Sequence, residues 1–317
     1  MDETLTAVIL TGSQKRFLVL YALVSANVVK LSTVAMACRF ELVLEGDEPI
    51  RLRSAGEEAL SEIERLDAQL SRFRPGSDIS WINAHASAGP VKVEPLLFGL
   101  LELACKLSNA TDRAFDITVG SLMRLWGFGE SNYNVPSALE IAETCRLVGV
   151  EHIILDSRTH TVRFDLPGVE IDLGAIGKGY AVDRAVELLR SAGIRRALLH
   201  GGTSTAFALG EWKVGIAKAR AANDDEDVVE SIVLRDCALS VSAPHGRLFE
   251  SEGHRYGHVI DPRTGMPVAH TGLAAVWGPS ATYCDVLSTA LLILGNDWIS
   301  QMKSRFPGYD GLTVPPG

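Results

Sequence analysis

Residues 171–183, IDLGAIGKGYAVD, constrain the chain more than any other stretch. A β-rich run from Val169 to Leu173 leads into Gly174, Gly177 and Gly179, and a helical pattern follows from about Lys178 to Ala192. Val182, Ala185, Leu188 and Leu189 share one face of that predicted helix. A strand that turns through glycines into a helix presents free backbone N–H groups and a positive helix end to an anion. Lys178 adds a point charge suited to phosphate. The segment is not a standard phosphate loop, since Asp172 stands where its first Gly belongs and Gly179 where Ser or Thr belongs. Rossmann glycine spacing is also missing. A tight turn explains the glycines but not the lysine among them.

Around this segment, helices and strands mix without strict alternation, which predicts an α+β fold rather than a doubly wound parallel sheet. Residues 37–45 read as a strand. From Ser54 to Phe73, apolar residues at Leu60, Ile63, Leu66, Leu70 and Phe73 recur at helical spacing. A helix is predicted from Pro95 to Leu107, short strands at His152–Leu155, Thr161–Phe164 and Arg196–His200, and a last helix from Cys284 to Leu294. The acidic patch Asp224–Asp227 reads as a solvated loop.

Charge narrows the partners. With 39 acidic residues against 30 basic ones, the net charge is −9, the wrong sign for phosphate-backbone binding, so no nucleic acid is expected. The five cysteines are scattered without zinc-like spacing and read as isolated reduced core thiols, consistent with a cytoplasmic setting. The apolar run Phe17–Val29 is shorter than the roughly 20 residues of a membrane span, so no stable span is expected. It has the length of a signal-peptide core, but Asp2 and Glu3 precede its basic flank and no clear small-x-small site follows. Export or membrane anchoring is therefore the alternative to cytoplasmic residence. Residues 1–34 read as an extension or start-site artefact, and 35–317 as one domain.

Three further segments carry chemistry. In Ala114–Gly120, Asp116 and Thr118 lie two apart and can point the same way from an extended chain, while a helix-capping role for Asp116 is the simpler reading. In His258–Gly265, Asp261-Pro262-Arg263-Thr264-Gly265 predicts a turn, and His258 beside it is a candidate for proton transfer or phosphate contact. At the start of the last helix, Asp285 and Thr289 are four apart, so carboxylate and hydroxyl can meet one ion. Hard oxygen ligands suit Mg²⁺. The competing reading is an N-capping Asp and a Thr bonded back to the helix.

Together, AFDITVGSLMRLWGFG, IDLGAIGKGYAVDRA, HVIDPRTGMPV and CDVLSTALLILG resemble, in order and spacing, the ApbE family of FAD:protein FMN transferases, over about Ala35 to Gly295. The resemblance implies a T-fold-related α+β architecture with mixed or antiparallel sheets, flanking helices and a ligand cleft between lobes. It implies Mg²⁺-dependent transfer of FMN from FAD to a Thr or Ser hydroxyl of an acceptor protein as a phosphoester, releasing AMP. Carried over by position, Asp285, Thr289 and the Gly177 carbonyl hold the metal, and His258 matches the proposed catalytic histidine. Asp116, Thr118, Lys178, Asp261 and Arg263 match positions near the flavin or its phosphates. Trp126 or Phe128 can cover the flavin ring, although core packing is the simpler use of each.

The chain departs from the family pattern at Ser240–Gly246, at Gly201-Gly202-Thr203, at Cys284 and at Gly177. Two alternatives accompany the resemblance: hydrolysis of FAD to FMN and AMP, and a flavin-binding protein impaired in catalysis.

Overall fold

The computed structural model describes residues 6–11, 28–129, 132–202, 204–218, 227–244, 248–269 and 272–315. Most of the apolar run at 17–29, the acidic patch except Asp227, Thr203, and His245 with Gly246 lie outside the described residues.

Seven strands form the central sheet: β1 (Val28–Ala35), β2 (Cys38–Glu45), β3 (Ala197–Gly201), β4 (Thr205–Leu209), β5 (Ala238–Ser242), β6 (Leu273–Gly278) and β7 (Asp310–Val314). Their order across the sheet is their order in the chain, and every neighbouring pair is antiparallel. A sheet built this way grows through its connections, and the chemistry sits in them.

Strand alternation gives the sheet two apolar faces. Phe40, Leu42 and Leu44 of β2, Leu199 of β3, Phe207 of β4 and Val276 of β6 point to one core. Val43, Leu198, Ala206, Leu239 and Ala275 point to the other. The first core is covered by three helices: α1 (Pro49–Leu70), α6 (Gly177–Ser191) and α7 (Ala281–Leu294). The second is covered by the hairpin Glu211–Lys218 and Asp227–Arg235 through Trp212, Val214, Ile216 and Leu234. The strand Thr6–Thr11 pairs in parallel with the first arm of that hairpin.

The connection from β2 to β3 forms a second lobe. After α1 it carries α2 (Asp78–His85), α3 (Pro95–Ala110), α4 (Gly120–Leu125) and α5 (Ala138–Cys145). It also carries a small antiparallel sheet of Val91–Lys92, Ile153–Asp156 and Thr161–Phe164. The connection from β5 to β6 holds two short hairpins, Leu248–Ser251 with His254–Gly257, and Ile260–Asp261 with Met266–Pro267. A last helix, α8 (Ile299–Arg305), precedes β7. Among the described residues, no helix is long and apolar enough to cross a membrane.

Three local expectations change. The helix predicted from Ser54 to Phe73 begins at Pro49, where proline suits the first turn, and stops at Leu70, leaving Phe73 off the helix and 55% exposed. The strand predicted over Val169–Leu173 reduces to one bridge, Val119 to Glu170, because the segment pairs across a loop rather than along a sheet. The last long helix starts at Ala281, three residues early, with Ser280 as its N-cap.

Candidate active site

The decisive geometry is where α6 meets α7. The turn before α6 closes through Gly177 N–H donating to the Leu173 carbonyl at 2.7 Å. At Gly179, a Cβ would lie 2.3 Å from the Ala281 carbonyl oxygen, so only glycine lets the first turns of the two helices touch. In that contact the Gly179 N–H donates to Asp285 Oδ2 at 3.0 Å. The glycine turn and the acidic helix therefore share one site, although 106 residues separate the bonded pair.

Three carboxylates in this region differ in what they already hold. Asp116, 3% exposed, accepts from Thr118 N–H (2.8 Å) and the Thr118 hydroxyl (2.6 Å) on one oxygen. Its other oxygen accepts from the Ser108 hydroxyl (3.0 Å) and Val150 N–H (3.2 Å). Asp183 on α6 takes four hydrogen bonds from Ser280, Ala281 and Thr282.

Asp285 holds fewer. It is also 3% exposed, and besides Gly179 its one donor among the described residues is the Ser240 hydroxyl, 3.2 Å from Oδ1. That hydroxyl is 3.0 Å from the Ser204 carbonyl as well, and its single hydrogen satisfies one acceptor at a time. A buried carboxylate with open lone pairs is costly unless something positive completes it. Thr289 lies one turn on, its hydroxyl donating to the Asp285 carbonyl at 3.2 Å and 3.1 Å from the Ser242 hydroxyl. Half of the local alternative for this pair is thus present, the Thr bonded back to its helix. The other half is not: Ser280, not Asp285, caps α7, and Asp285 sits a full turn inside it.

These groups open onto a cleft of about 670 Å³ between the central sheet and the second lobe. Asp116, Gly177, Lys178, His258, Asp285 and Thr289 all line it. Thr118, Asp261 and Arg263 do not line it. Thr118 is buried behind Asp116 and accepts the Gly149 N–H at 2.6 Å. Asp116 and Thr118 meet through a turn rather than pointing together from an extended chain, and Asp116 caps no helix, the N-cap of α4 being Val119. The Arg263 guanidinium forks onto Asp261 at 2.9 and 2.8 Å, so this pair closes the Asp-Pro turn itself. Pro262, between them, faces the cleft. Trp126 is fully buried and donates from Nε1 to the Gly265 carbonyl at 2.9 Å, whereas Phe128 lines the cleft.

Because Asp116 satisfies four donors at once, Asp116→Ala is expected to destabilise the fold by at least about 2 kcal/mol, the cost of stranding buried donors. Denaturant unfolding measures this, and a change below about 0.5 kcal/mol, typical of neutral surface sites, contradicts it.

Several groups around the cleft lie outside the motif residues. Arg72, one residue past the α1 C-cap Ser71, is nearly buried. It donates to the Gly120 carbonyl at 3.0 Å and lies 3.1 Å from Asp172 Oδ2, while Asp172 Oδ1 holds the Gly174 N–H at 2.7 Å. Arg72 thereby braces the glycine turn from the second lobe. Ser240 and Ser242 come from the segment that departs from the family pattern, and they are the hydroxyls reaching Asp285 and Thr289. Their spacing of two on a strand, which puts both on one face, was the available signal.

Cys38 corrects the reading of every cysteine as a core thiol. It lines the cleft, but burial pushes its thiol up to about 11, with Lys178 partly opposing, so it stays protonated at neutral pH and is a poor nucleophile. Cys284 alone is fully buried, and all five cysteines are free.

Comparisons with known proteins identify the family. The model of the ApbE family matches residues 36–312. An FAD:protein FMN transferase of Treponema pallidum (strain Nichols) is 34% identical over 286 residues, 84% of this chain and 78% of that protein. One from Escherichia coli (strain K12) is 29% identical over 301 residues, 92% and 84% of the two chains. Among solved structures, the ApbE protein of Thermotoga maritima aligns with a TM-score of 0.81 at 30% identity, covering 91% of this chain and 94% of its own. The flavinyl transferase ApbE of Pseudomonas stutzeri aligns with a TM-score of 0.76 at 26% identity, covering 92% and 95%.

Proposed function

This chain belongs to the ApbE family, and on that premise we propose that it is an FAD:protein FMN transferase. It moves the FMN part of FAD onto a Thr or Ser hydroxyl of an acceptor protein, with Mg²⁺ as cofactor, and releases AMP. The single observation that carries the metal part is Asp285, a buried carboxylate with open lone pairs facing a cleft beside a helix N-terminus.

Asp285, the Thr289 hydroxyl and the Gly177 carbonyl are the groups that would hold Mg²⁺. Among the described residues, no three His, Cys, Asp or Glu side chains converge as a metal site, and a cation here relies on few protein oxygens, as Mg²⁺ does beside substrate phosphates. When bound, Mg²⁺ neutralises charge on the FAD diphosphate.

The remaining work falls to the chain. Lys178 and the start of α6 attract the diphosphate. The acceptor oxygen attacks the phosphorus of the FMN half, the bond from that phosphorus to the bridging oxygen breaks, and AMP departs with that oxygen. His258 takes the proton of the attacking hydroxyl. Phosphoryl transfer depends mainly on position and charge, and Arg72 with Asp172 supplies rigidity to the turn. Phe128 and the exposed Phe73 flank space for the flavin ring.

Residues 35–317 form the transferase domain in this proposal, and the pairing of β1 with β2 supports drawing its edge a few residues earlier. Cytoplasmic residence is also proposed, supported by the free thiols.

Incubation with FAD, Mg²⁺ and an acceptor polypeptide tests the reading. A covalent FMN adduct by mass, with AMP released and both lost on chelation, is the expected result. Free FMN without adduct, given a competent acceptor, would instead show hydrolysis. His258→Ala is expected to slow transfer by roughly a hundredfold, the lower range for losing a general base, while FAD affinity changes less than threefold. Equal losses in rate and affinity would make His258 a binding residue.

A further inference from the structure

Asp183 lies outside the roles assigned above, yet it takes as many hydrogen bonds as Asp116, four, and all of them come from the start of α7. Its Oδ2 accepts from the Ser280 hydroxyl (2.6 Å), the Thr282 N–H (2.9 Å) and the Thr282 hydroxyl (2.6 Å), and its Oδ1 from the Ala281 N–H (2.8 Å). Ala281 and Thr282 are the first two residues of α7, whose N–H groups have no partner within their own helix.

The opposite contact has the same form. Gly179 is the third residue of α6, its N–H is likewise an orphan, and Asp285 of α7 accepts it. Gly179 and Asp183 are four apart on α6, as Ala281 and Asp285 are on α7, so each pair shares a helical face. Each helix therefore caps the N-terminus of the other with a carboxylate, one link on either side of the bare Gly179 contact. Both carboxylates sit at the positive end of the partner helix. They differ in one respect: Asp183 is saturated with donors, and Asp285 is not.

We propose that Asp183 is a positioning residue that sets the affinity of the metal site. By locking the first turn of α7 onto α6, it fixes the distance between the Gly177–Lys178 end of α6 and the Asp285–Thr289 face of α7. Release of that lock lets the two halves of the site separate while each helix stays packed on the sheet. The inference rests on the metal reading given under Proposed function.

The test is direct titration of the full chain with Mn²⁺, followed by electron paramagnetic resonance, alongside thermal melting in metal-free buffer and transfer kinetics against Mg²⁺. Asp183→Asn keeps the shape but removes acceptor capacity. It is expected to weaken Mn²⁺ binding by about 10- to 100-fold, the range for groups that orient metal ligands. Excess Mg²⁺ should restore most of kcat, because Asp183 touches neither substrate nor metal. Thr282→Val removes one donor and guards against misfolding of the first variant; it should weaken Mn²⁺ binding several-fold with little change in melting.

Unchanged Mn²⁺ affinity in a folded Asp183→Asn or Thr282→Val variant overturns the proposal, as does a kcat that excess Mg²⁺ fails to raise. Absence of Mn²⁺ binding by the unaltered chain overturns the metal reading itself, which separates the two failures.

Discussion

Asp285→Asn is expected to lower FMN transfer by roughly a thousandfold, the upper range for removing one preorganised electrostatic group. Asp285 is the only charged side chain among the three residues assigned to Mg²⁺, so the loss falls on charge neutralisation. The substitution leaves an amide oxygen for the Gly179 N–H and takes a formal charge out of a buried position, so the metal-free melting temperature should change little. Mg²⁺ should raise the melting temperature of the original chain, since a ligand that binds only the folded state stabilises it, and should have no such effect on the variant. AMP release by Asp285→Asn at the original rate would remove Asp285 from the mechanism.

Gly179→Ala should damage both fold and activity. Its Cβ would lie 2.3 Å from the Ala281 carbonyl oxygen, 2.7 Å from the carbonyl carbon and 2.8 Å from the Thr282 Cα. These are backbone atoms, so no rotamer change relieves the clash, and α6 must move about an ångström from α7. Overpacking of this kind costs about 1–3 kcal/mol or more, which outweighs the gain of up to about 1 kcal/mol from replacing a helical glycine. A shift of that size in a phosphoryl-transfer site costs about a hundredfold in rate.

Gly177, two residues earlier, is the internal control. A Cβ there meets nothing closer than 3.9 Å, so Gly177→Ala should fold without the clash expected at Gly179. Denaturant unfolding and transfer rates measured on both variants decide the matter, and equal behaviour of the two would contradict the close contact of α6 with α7.

Much of the architecture could be read from periodicity. The alternation in residues 37–45 and the helical spacing of Leu60, Ile63, Leu66 and Leu70 are local patterns, and the structure carries them as β2 and α1. Phe73 continues the same spacing but lies beyond the helix, because an apolar period does not say where backbone bonding stops. The Val169–Leu173 run is apolar on alternate residues and still forms no ladder, since a strand needs a partner that its own residues do not specify. The candidate site was also partly visible: Asp285 and Thr289 four apart, glycines around Lys178, and His258 before an Asp-Pro turn. Ser240 and Ser242 stand out in the sequence only as a departure from the family pattern. Nothing local marks Asp183 or Arg72, because the groups they bind lie far away in the chain.

By itself, then, the amino-acid order determined the local elements and the kinds of chemical group available, because turns and amphipathic faces depend on residues within a few positions of one another. Only the packed molecule decided which carboxylate is saturated and which is open. Asp116, Asp183 and Asp285 are alike as letters, and what separates Asp285 from the other two is the smaller count of donors brought to it by the fold. A donor such as the Gly179 N–H, 106 residues from Asp285, reaches its acceptor only because a missing side chain lets two helices touch.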